Sequence, residues 1–219
     1  PAATLPRADD AGVAAAALAL RGGALVIVPT DTLYGVAADA CSPSALRAVY
    51  EAKGRNGGAP LAVAVADVPS VASVGDASSL PPGLLDALLP GPVTVVLTRR
   101  EDAPVSRSLN PGVAAVAIRV PNSPFILALA RAHGSPIALT SANASGQAPA
   151  LTVGEAGAVA GAAAVVVDGG AIPGGRAGST VVDLTAVRRD GGAYAILREG
   201  EAGDSVRGVL GRFGLVEAV

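Results

Sequence analysis

Short apolar runs, many of them rich in valine, recur along the chain, and turn residues such as glycine, proline or serine bound them. Apolar runs of about four to eight residues between such turns are typical of strands buried in a sheet. This pattern constrains the fold more than any other feature, because the buried strands must share a hydrogen-bonded sheet. We predict strands over 24–28, 60–67, 93–98, 113–121, 136–140, 162–170, 179–185 and 193–200.

Helix start and stop signals separate several of these runs. Ser42 and Pro43 are a capping residue and a first-turn proline, and Gly54 is the stop signal of the helix that they begin. Ser123 and Pro124 repeat the same start signal. We predict helices over 11–21, 43–53, 81–92, 125–133 and roughly 203–213.

The order of these elements predicts an α/β fold. Strands and helices alternate early in the chain, as in a parallel sheet, whereas the later strands follow one another closely, as in antiparallel hairpins. We therefore predict an open, twisted, mixed parallel and antiparallel sheet flanked by helices, in a single domain over residues 1–219. A chain of this length can bury roughly 70% of its unfolded surface and needs neither disulfides nor a metal to fold.

Composition excludes several classes of protein. Although 51% of the residues are hydrophobic, no apolar run approaches the roughly 20 residues of a membrane-spanning helix. The net charge of −2 argues against a protein that coats nucleic acid through bulk electrostatics. Cys41 and His133 are the single cysteine and histidine, which excludes a disulfide framework and an ordinary zinc site.

Cysteine usage and the first residue bear on location. A single cysteine is consistent with a reducing compartment, so we expect a cytoplasmic protein. The chain begins at Pro1 and contains no methionine, and we therefore expect it to be trimmed at its N-terminus. Organellar targeting by a preceding segment stays open.

Polar residues stand where apolar runs meet loops. Thr32 lies in VIVPTDTLYG, Ser141 and Asn143 lie in PIALTSANASG, and Ser179 lies in GRAGSTVVDLT. Open α/β sheets bind ligands at the carboxyl ends of their strands, although polar turns built from serine, asparagine and glycine are an alternative interpretation. Neither the P-loop pattern nor the dinucleotide-binding glycine pattern occurs in the chain.

Four cationic residues accompany these segments. Lys53 and Arg55 stand at the end of the second predicted helix, Arg119 ends an apolar run, and Arg198 lies in the last strand. Taken alone, the first two are explained by the helix dipole, and Arg119 by a surface acid at the sheet edge. Together with the hydroxyl and amide groups, they predict a pocket for a polyanion and a small polar molecule. Its chemistry would be charge stabilisation and positioning rather than proton abstraction by a histidine.

Eight segments, taken in order, strengthen this interpretation: VPTDTLYGVAADA, YEAKGR, PL, LLPGPVTVVL, VAIRVP, PIALTSANASG, GSTVVDL and ILREG. In this order they resemble the YrdC/Sua5 family, the threonylcarbamoyl-AMP synthases, in its short single-domain type. The resemblance covers about residues 10–215. It implies a YrdC-like fold with a central concave pocket.

The resemblance also implies a reaction. L-Threonine, bicarbonate or CO2, and ATP accompanied by Mg2+ would give L-threonylcarbamoyl-adenylate and pyrophosphate. A separate tRNA threonylcarbamoyl transferase would then use this product in the t6A modification of adenosine 37 of tRNA. Weak binding of RNA or tRNA by the chain itself, and no contact with a membrane, are part of the same expectation.

Site residues follow from the resemblance, motif by motif. It implies L-threonine binding by Thr32, Arg119, Ser141 and Ser179. It implies ATP binding by Lys53, Arg55, Asn143 and Arg198. No residue is assigned as an acid or base, and no protein ligand to the metal is expected. Asp31 and Tyr34 are expected to shape the turn rather than to take part in the chemistry.

The chain departs from the family pattern at two positions. Ala59 stands where many members have a polar residue, so one ATP contact is expected to be absent or left to the backbone. Ala64 stands where many microbial members have histidine near the threonine site, so threonine is expected to be held differently. The chain ends near Val219 without the C-terminal domain of the longer type, and any lid is expected from the N-terminal segment or the loop at 168–178.

Two other functions stay open. The same basic surface would suit a YrdC-like module that binds RNA without catalysis, although net charge and the scarcity of aromatic residues argue against a stacking platform. A carbamoyl-transfer domain of the hydrogenase-maturation type is the second alternative.

Overall fold

The structure is a computed structural model that describes residues 6–54 and 60–218. Its helices are α1 (Asp10–Arg21), α2 (Pro43–Ala52), α3 (Val71–Val74), α4 (Leu84–Leu88), α5 (Pro124–His133), α6 (Gly157–Gly161) and α7 (Gly203–Arg212), with a 3-10 turn at Val153–Ala156. Its strands are β1 (Val26–Pro29), β2 (Tyr34–Asp39), β3 (Ala62–Ala64), β4 (Val93–Thr98), β5 (Ala115–Arg119), β6 (Ile137–Ser141), β7 (Val165–Val166), β8 (Thr180–Asp183), β9 (Ala193–Arg198) and β10 (Val216–Glu217).

Within these described ranges, the ten strands form one open sheet in the order β10-β9-β8-β4-β5-β3-β6-β2-β1-β7. Neighbours are parallel in the pairs β1 with β7, β3 with β5, β4 with β8, and β9 with β10. They are antiparallel in the pairs β1 with β2, β2 with β6, β3 with β6, β4 with β5, and β8 with β9. The predicted mixed, open α/β sheet is confirmed, whereas its extent over residues 1–219 stays a prediction.

Strand β2 is the main element that the sequence did not predict. Four of the six residues of YGVAAD are glycine, alanine or aspartate, which have low strand propensity, yet the strand pairs with both β1 and β6. A side chain on Gly35 would lie 2.7 Å from Cδ1 of Leu139 on β6, so glycine permits this close approach. The expectation of parallel alternation early in the chain is therefore wrong here, because β1 and β2 form an antiparallel hairpin. The strand predicted over 162–170 is also reduced to the two residues of β7.

The sheet is buried on both faces around β1. Ile27 belongs to one apolar cluster, with α2 residues such as Leu46, and Val26 and Val28 belong to a second cluster, with Leu20 of α1. This alternation is what a strand with two covered faces requires. None of the helices in the described residues is long and apolar enough to cross a membrane.

Caps fix where the first helices begin. The Asp9 carboxylate accepts a hydrogen bond from the Gly12 amide at 3.0 Å, and the Ser42 hydroxyl accepts one from the Ala45 amide at 3.2 Å. Side-chain caps of this kind satisfy amides that have no partner within the helix. The predicted start at Ser42 and Pro43 is confirmed. Helix α5 begins at Pro124, as the second start signal predicts, but the Ser123 side chain makes no capping hydrogen bond.

Candidate active site

A pocket of about 510 Å³ lies on one face of the sheet. Alternate residues of β4, β5 and β8 line its floor, as the two-residue period of strands dictates. The turn between β1 and β2 and the end of β6 form one wall, and β9 contributes to another. Among the described residues, five of the eight that the sequence assigned to substrates line this pocket: Thr32, Arg119, Ser141, Ser179 and Arg198.

The turn between β1 and β2 places Thr32 in the pocket wall. The Thr30 hydroxyl accepts hydrogen bonds from the amides of Thr32 and Leu33, both at 3.2 Å, and donates to the Leu33 carbonyl at 2.7 Å. Thr32 is consequently held at 1% exposure while its side chain still lines the pocket. A threonine at position 30 thus builds the turn that presents the threonine at position 32.

Arg119, at the end of β5, forms a buried ion pair with Asp31. Nη2 of Arg119 lies 2.8 Å from Oδ1 of Asp31, and both side chains are 9% exposed. The other carboxylate oxygen accepts a hydrogen bond from the Asn122 amide at 2.9 Å. Both terminal nitrogens of Arg119 also lie 3.5 Å from the Thr32 hydroxyl. Asp31 therefore does more than shape the turn, because it neutralises and orients the central cation of the pocket.

Burial dominates the electrostatics of this region. It lowers the pKa of the Arg119 guanidinium, which Asp31 raises and Arg198 lowers further. Burial also lowers the pKa of Arg198. Burial and the Asp31 carboxylate raise the pKa of Glu201, against the effect of Arg119. Because partly desolvated charges interact more strongly than exposed ones, an anion between the two arginines would relieve their mutual repulsion.

Arg198 of β9 holds Ser179 in place. Its Nε and Nη2 donate to the Ser179 carbonyl at 3.2 and 2.9 Å, and Nη2 also donates to the Ser179 hydroxyl at 3.1 Å. The Thr94 hydroxyl lies 2.8 Å from the same hydroxyl. These contacts fix Ser179 in the pocket wall at 3% exposure.

Lys53 and Asn143 lie behind Ser141 rather than in the pocket wall. Lys53 is 1% exposed, and its ammonium donates to the Ser141 carbonyl at 2.6 Å and to the Asn143 carbonyl. The Asn143 side-chain amide donates to the carbonyls of Ala144 and Gln147 at 2.9 and 2.8 Å. Its Oδ1 is buried and has no hydrogen-bond partner within the described part of the chain. The two residues thus support the end of β6, where Ser141 lies, and the loop that follows it.

Contacts from two sides fasten the loop at 168–178. The Tyr34 hydroxyl donates to the Gly170 carbonyl at 2.7 Å and accepts from the Gly169 amide at 2.9 Å. Arg176 forms an ion pair with Glu155 at 2.9 Å and donates to the Pro149 carbonyl. Hydrogen bonding to Arg176 lowers the pKa of Glu155 to about 2. The assignment of this loop as a lid stays a prediction.

A family comparison decides the relationship of the chain. The model of the Sua5_yciO_yrdC family, described as "Telomere recombination", matches residues 18–200. The chain belongs to the Sua5/YciO/YrdC family. The matched residues fall within the range of about 10–215 over which the motifs resemble the family.

Relatives within the Sua5/YciO/YrdC family carry the name threonylcarbamoyl-AMP synthase. The bovine protein is 44% identical over 210 residues, which are 92% of this chain and 72% of the relative. The human protein is 44% identical over 204 residues, which are 90% of this chain and 70% of the relative. A crystal structure of P. abyssi Sua5 complexed with L-threonine has a TM-score of 0.76 and 32% identity, and covers 91% of this chain and 57% of that chain.

The two departures from the YrdC/Sua5 pattern have different outcomes. Ala64 of β3 is fully buried in the apolar cluster that also contains Ile126 of α5, and it does not line the pocket. Arg55 and Ala59 lie outside the described residues. Their predicted contributions to ATP binding, or the lack of one at Ala59, stay predictions.

Thr94 is a pocket residue that our sequence reasoning missed. It is a hydroxyl residue inside β4, VTVVLT, with apolar residues on both sides, and unlike the exposed Thr98 at the end of the strand it is only 3% exposed. A hydroxyl inside a buried strand needs a partner, and that need was the available signal. The partner, Ser179, is 85 residues away and meets Thr94 only because β8 is the parallel neighbour of β4.

Proposed function

We propose that the chain is a threonylcarbamoyl-AMP synthase. It would join L-threonine, bicarbonate or CO2, and ATP into L-threonylcarbamoyl-adenylate with release of pyrophosphate. The names of the bovine and human relatives support this activity, and the L-threonine complex of P. abyssi Sua5 supports the amino-acid substrate.

The observation that carries the proposal is an unsatisfied hydrogen-bond donor on the Arg119 side chain. Its Nε is buried and has no hydrogen-bond partner among the described residues, although the side chain lines the pocket. A buried donor without a partner is costly, and a ligand carboxylate would satisfy it with a charge-assisted hydrogen bond. We assign this place to the carboxylate of L-threonine, beside the hydroxyl groups of Thr32, Ser141 and Ser179.

The nucleotide would occupy the part of the pocket that Ser141 and Arg198 border. We propose Lys53 and Arg55 as ligands of the ATP phosphates, with Asn143 and Arg198 beside the nucleotide. The Lys53 ammonium lies behind Ser141 and donates to its carbonyl at 2.6 Å, so it would have to turn toward the pocket to reach the phosphates. The described residues contain no group of three or more His, Cys, Asp or Glu side chains suited to hold a metal ion. We propose that Mg2+ accompanies ATP and is bound by its phosphate oxygens.

The product dictates what the protein must do. The threonine amine loses a proton and bonds to the carbon of CO2, and an oxygen of the resulting carbamate then bonds to the α-phosphorus of ATP while pyrophosphate leaves. Every intermediate in this sequence is anionic. Buried arginines and fixed hydroxyl donors stabilise such charge without having to reorganise, and holding the two substrates together supplies much of the remaining rate enhancement.

We propose that a separate transferase accepts the adenylate that this chain makes. Because the product is an activated acyl group on AMP, a separate tRNA threonylcarbamoyl transferase would consume it, in t6A formation at adenosine 37. We propose that the synthase activity of this chain is cytoplasmic and that the chain itself binds tRNA only weakly.

Pyrophosphate release tests the proposal. Protein mixed with ATP, Mg2+, bicarbonate and L-threonine should release pyrophosphate only when threonine is present, and mass spectrometry should detect the threonylcarbamoyl-adenylate. Arg119→Lys should raise the KM for threonine about 10- to 100-fold, because lysine cannot reproduce the donor geometry of a guanidinium.

Carbamoyl phosphate turnover and RNA binding, measured beside pyrophosphate release, distinguish the two alternative functions. Turnover of carbamoyl phosphate without threonine would indicate carbamoyl transfer. RNA binding that survives saturating ATP, without pyrophosphate release, would indicate a non-catalytic RNA module. Either result would overturn the proposal.

A further inference from the structure

Two hydroxyl groups face one another across adjacent strands in the pocket wall. Thr94 Oγ1, on β4, lies 2.8 Å from Ser179 Oγ, which stands at the entrance of β8. Each residue is 3% exposed, and each lines the pocket. The parallel register, with Val93 opposite Thr180, holds the two strands in this alignment.

The number of hydroxyl hydrogens limits how these groups can bond. A hydroxyl donates one hydrogen and accepts two. Ser179 Oγ already accepts a hydrogen bond from Nη2 of Arg198 at 3.1 Å. One hydroxyl hydrogen is used between Thr94 and Ser179, so the pair retains one more. Within the described residues, neither hydroxyl has a further acceptor for that hydrogen, which is therefore available to a ligand.

The surrounding charges decide which hydroxyl supplies the hydrogen. Arg198 bonds directly to Ser179, and it is close enough to Arg119 for its charge to affect the latter. An anionic ligand oxygen is drawn to this cationic region, on the Ser179 side of the pair, and charge-assisted hydrogen bonds are the strongest available to it. In this arrangement Thr94 donates to Ser179, whose two acceptor positions are then filled by Thr94 and Arg198.

We propose that Thr94 is a positioning residue that makes Ser179 a dedicated hydrogen-bond donor to an anionic oxygen of the bound ligand. This inference rests on the proposed function, in which that oxygen belongs to the carboxylate of L-threonine. Thr94 does not touch the ligand in this scheme. It removes the rotational freedom of the Ser179 hydroxyl, so that the donor is oriented before the ligand arrives.

Substitutions at both positions test the inference through threonine-dependent pyrophosphate release. Thr94→Val keeps the side-chain shape and removes the hydroxyl, and it should raise the KM for threonine about tenfold with a smaller change in kcat. Thr94→Ser should restore the KM to within about twofold of the unmodified protein, because serine retains the donor. Combined with Ser179→Ala, Thr94→Val should have no further effect, since Thr94 acts through Ser179.

Thr98→Val is the matched control. It makes the same chemical change on β4, at an exposed residue that does not line the pocket, and should leave the KM unchanged. The inference is overturned if Thr94→Ser is as impaired as Thr94→Val, or if Thr94→Val and Ser179→Ala act additively. Thermal unfolding establishes that each variant is folded, and Thr94→Ala replaces Thr94→Val if the latter is not.

Direct binding separates this inference from the proposed activity. If the unmodified protein releases no pyrophosphate, the proposed function fails, and calorimetric titration with L-threonine then carries the test. Weaker binding by Thr94→Val than by Thr94→Ser supports the positioning role, whereas equal affinities, or no binding by the unmodified protein, overturn it.

Discussion

Oδ1 of Asp31 lies 2.8 Å from Nη2 of Arg119, and each side chain is only 9% exposed. The carboxylate follows the buried strand β1, and the guanidinium ends β5. Transfer of both charges from water is costly, so their mutual attraction and further hydrogen bonds, such as that from the Asn122 amide, must compensate. This pair forms the charged centre of the pocket.

Removal of one partner should therefore destabilise the protein. Asp31→Asn keeps the size of the side chain but leaves the Arg119 charge buried without its counterion. We expect the free energy of unfolding, measured by urea denaturation, to fall by about 3–5 kcal/mol. Asp31→Asn combined with Arg119→Met should recover part of that loss, because no buried charge then lacks a partner.

The surface pair Arg100–Asp102 is the control for Asp31. Its side chains are 42% and 69% exposed at 2.8 Å separation, and exposed pairs of this kind contribute little to stability. Asp102→Asn should leave the urea midpoint unchanged. Equal effects of Asp31→Asn and Asp102→Asn would contradict a structural role of the buried pair.

Lys53 should affect stability as well as catalysis. Its buried ammonium donates to the carbonyls of Ser141 and Asn143, and Lys53→Met would leave both carbonyls without this donor. We expect a loss of about 2–3 kcal/mol in urea denaturation, together with a loss of pyrophosphate release. Lower activity at unchanged stability would instead limit Lys53 to phosphate binding.

The sequence predicted those parts of the fold and the site that depend on local pattern. The run at 93–98 is β4 with the same boundaries, because a short apolar run bounded by turn residues is a local signal for a buried strand. Thr32, Ser141 and Ser179 were found because polar residues interrupt apolar runs at strand ends.

Features that depend on strand order were not predictable in the same way. The contact between Thr94 and Ser179 requires β8 to lie beside β4, and no local signal specifies which strands are parallel neighbours. The pairing of Asp31 with Arg119 spans 88 residues and has the same origin. The buried position of the Lys53 side chain depends on the carbonyls of Ser141, at the end of β6, and Asn143, just after it, so the place of Lys53 at a helix end could not reveal it.

The Glu155–Arg176 pair should restrain the loop at 168–178 above strongly acidic pH. The folded-state pKa of Glu155 is lowered from 4.5 to about 2, so the contribution of the pair is fully present above about pH 4.5 and is lost as the pH falls through about 2. NMR titration of the Glu155 carboxyl should give a midpoint near the lower value. A midpoint near 4.5 would show that the pair does not persist in solution.

Trypsin offers a second readout of the same pair at neutral pH. Glu155→Gln removes the charge that holds Arg176, and we expect faster cleavage after Arg176 because the residue is released from its contacts. Glu101→Gln, which neutralises another exposed acid, should leave the cleavage rate as it is.

Gly200 tests how closely the end of β9 must approach Ser179. A Cβ atom at this position would lie 2.3 Å from the Ser179 carbonyl carbon and 2.4 Å from the Thr180 amide nitrogen. Backbone atoms cannot move aside as a flexible side chain does, so Gly200→Ala should cost about 1–3 kcal/mol of stability and displace Ser179. We expect a raised KM for threonine together with a lower urea midpoint.

Gly208→Ala is the matched control, because nothing lies within 4 Å of its added Cβ in α7, and alanine there should stabilise the helix by about 1 kcal/mol. Normal stability and KM in Gly200→Ala would mean that the Ser179 backbone can shift without affecting the pocket.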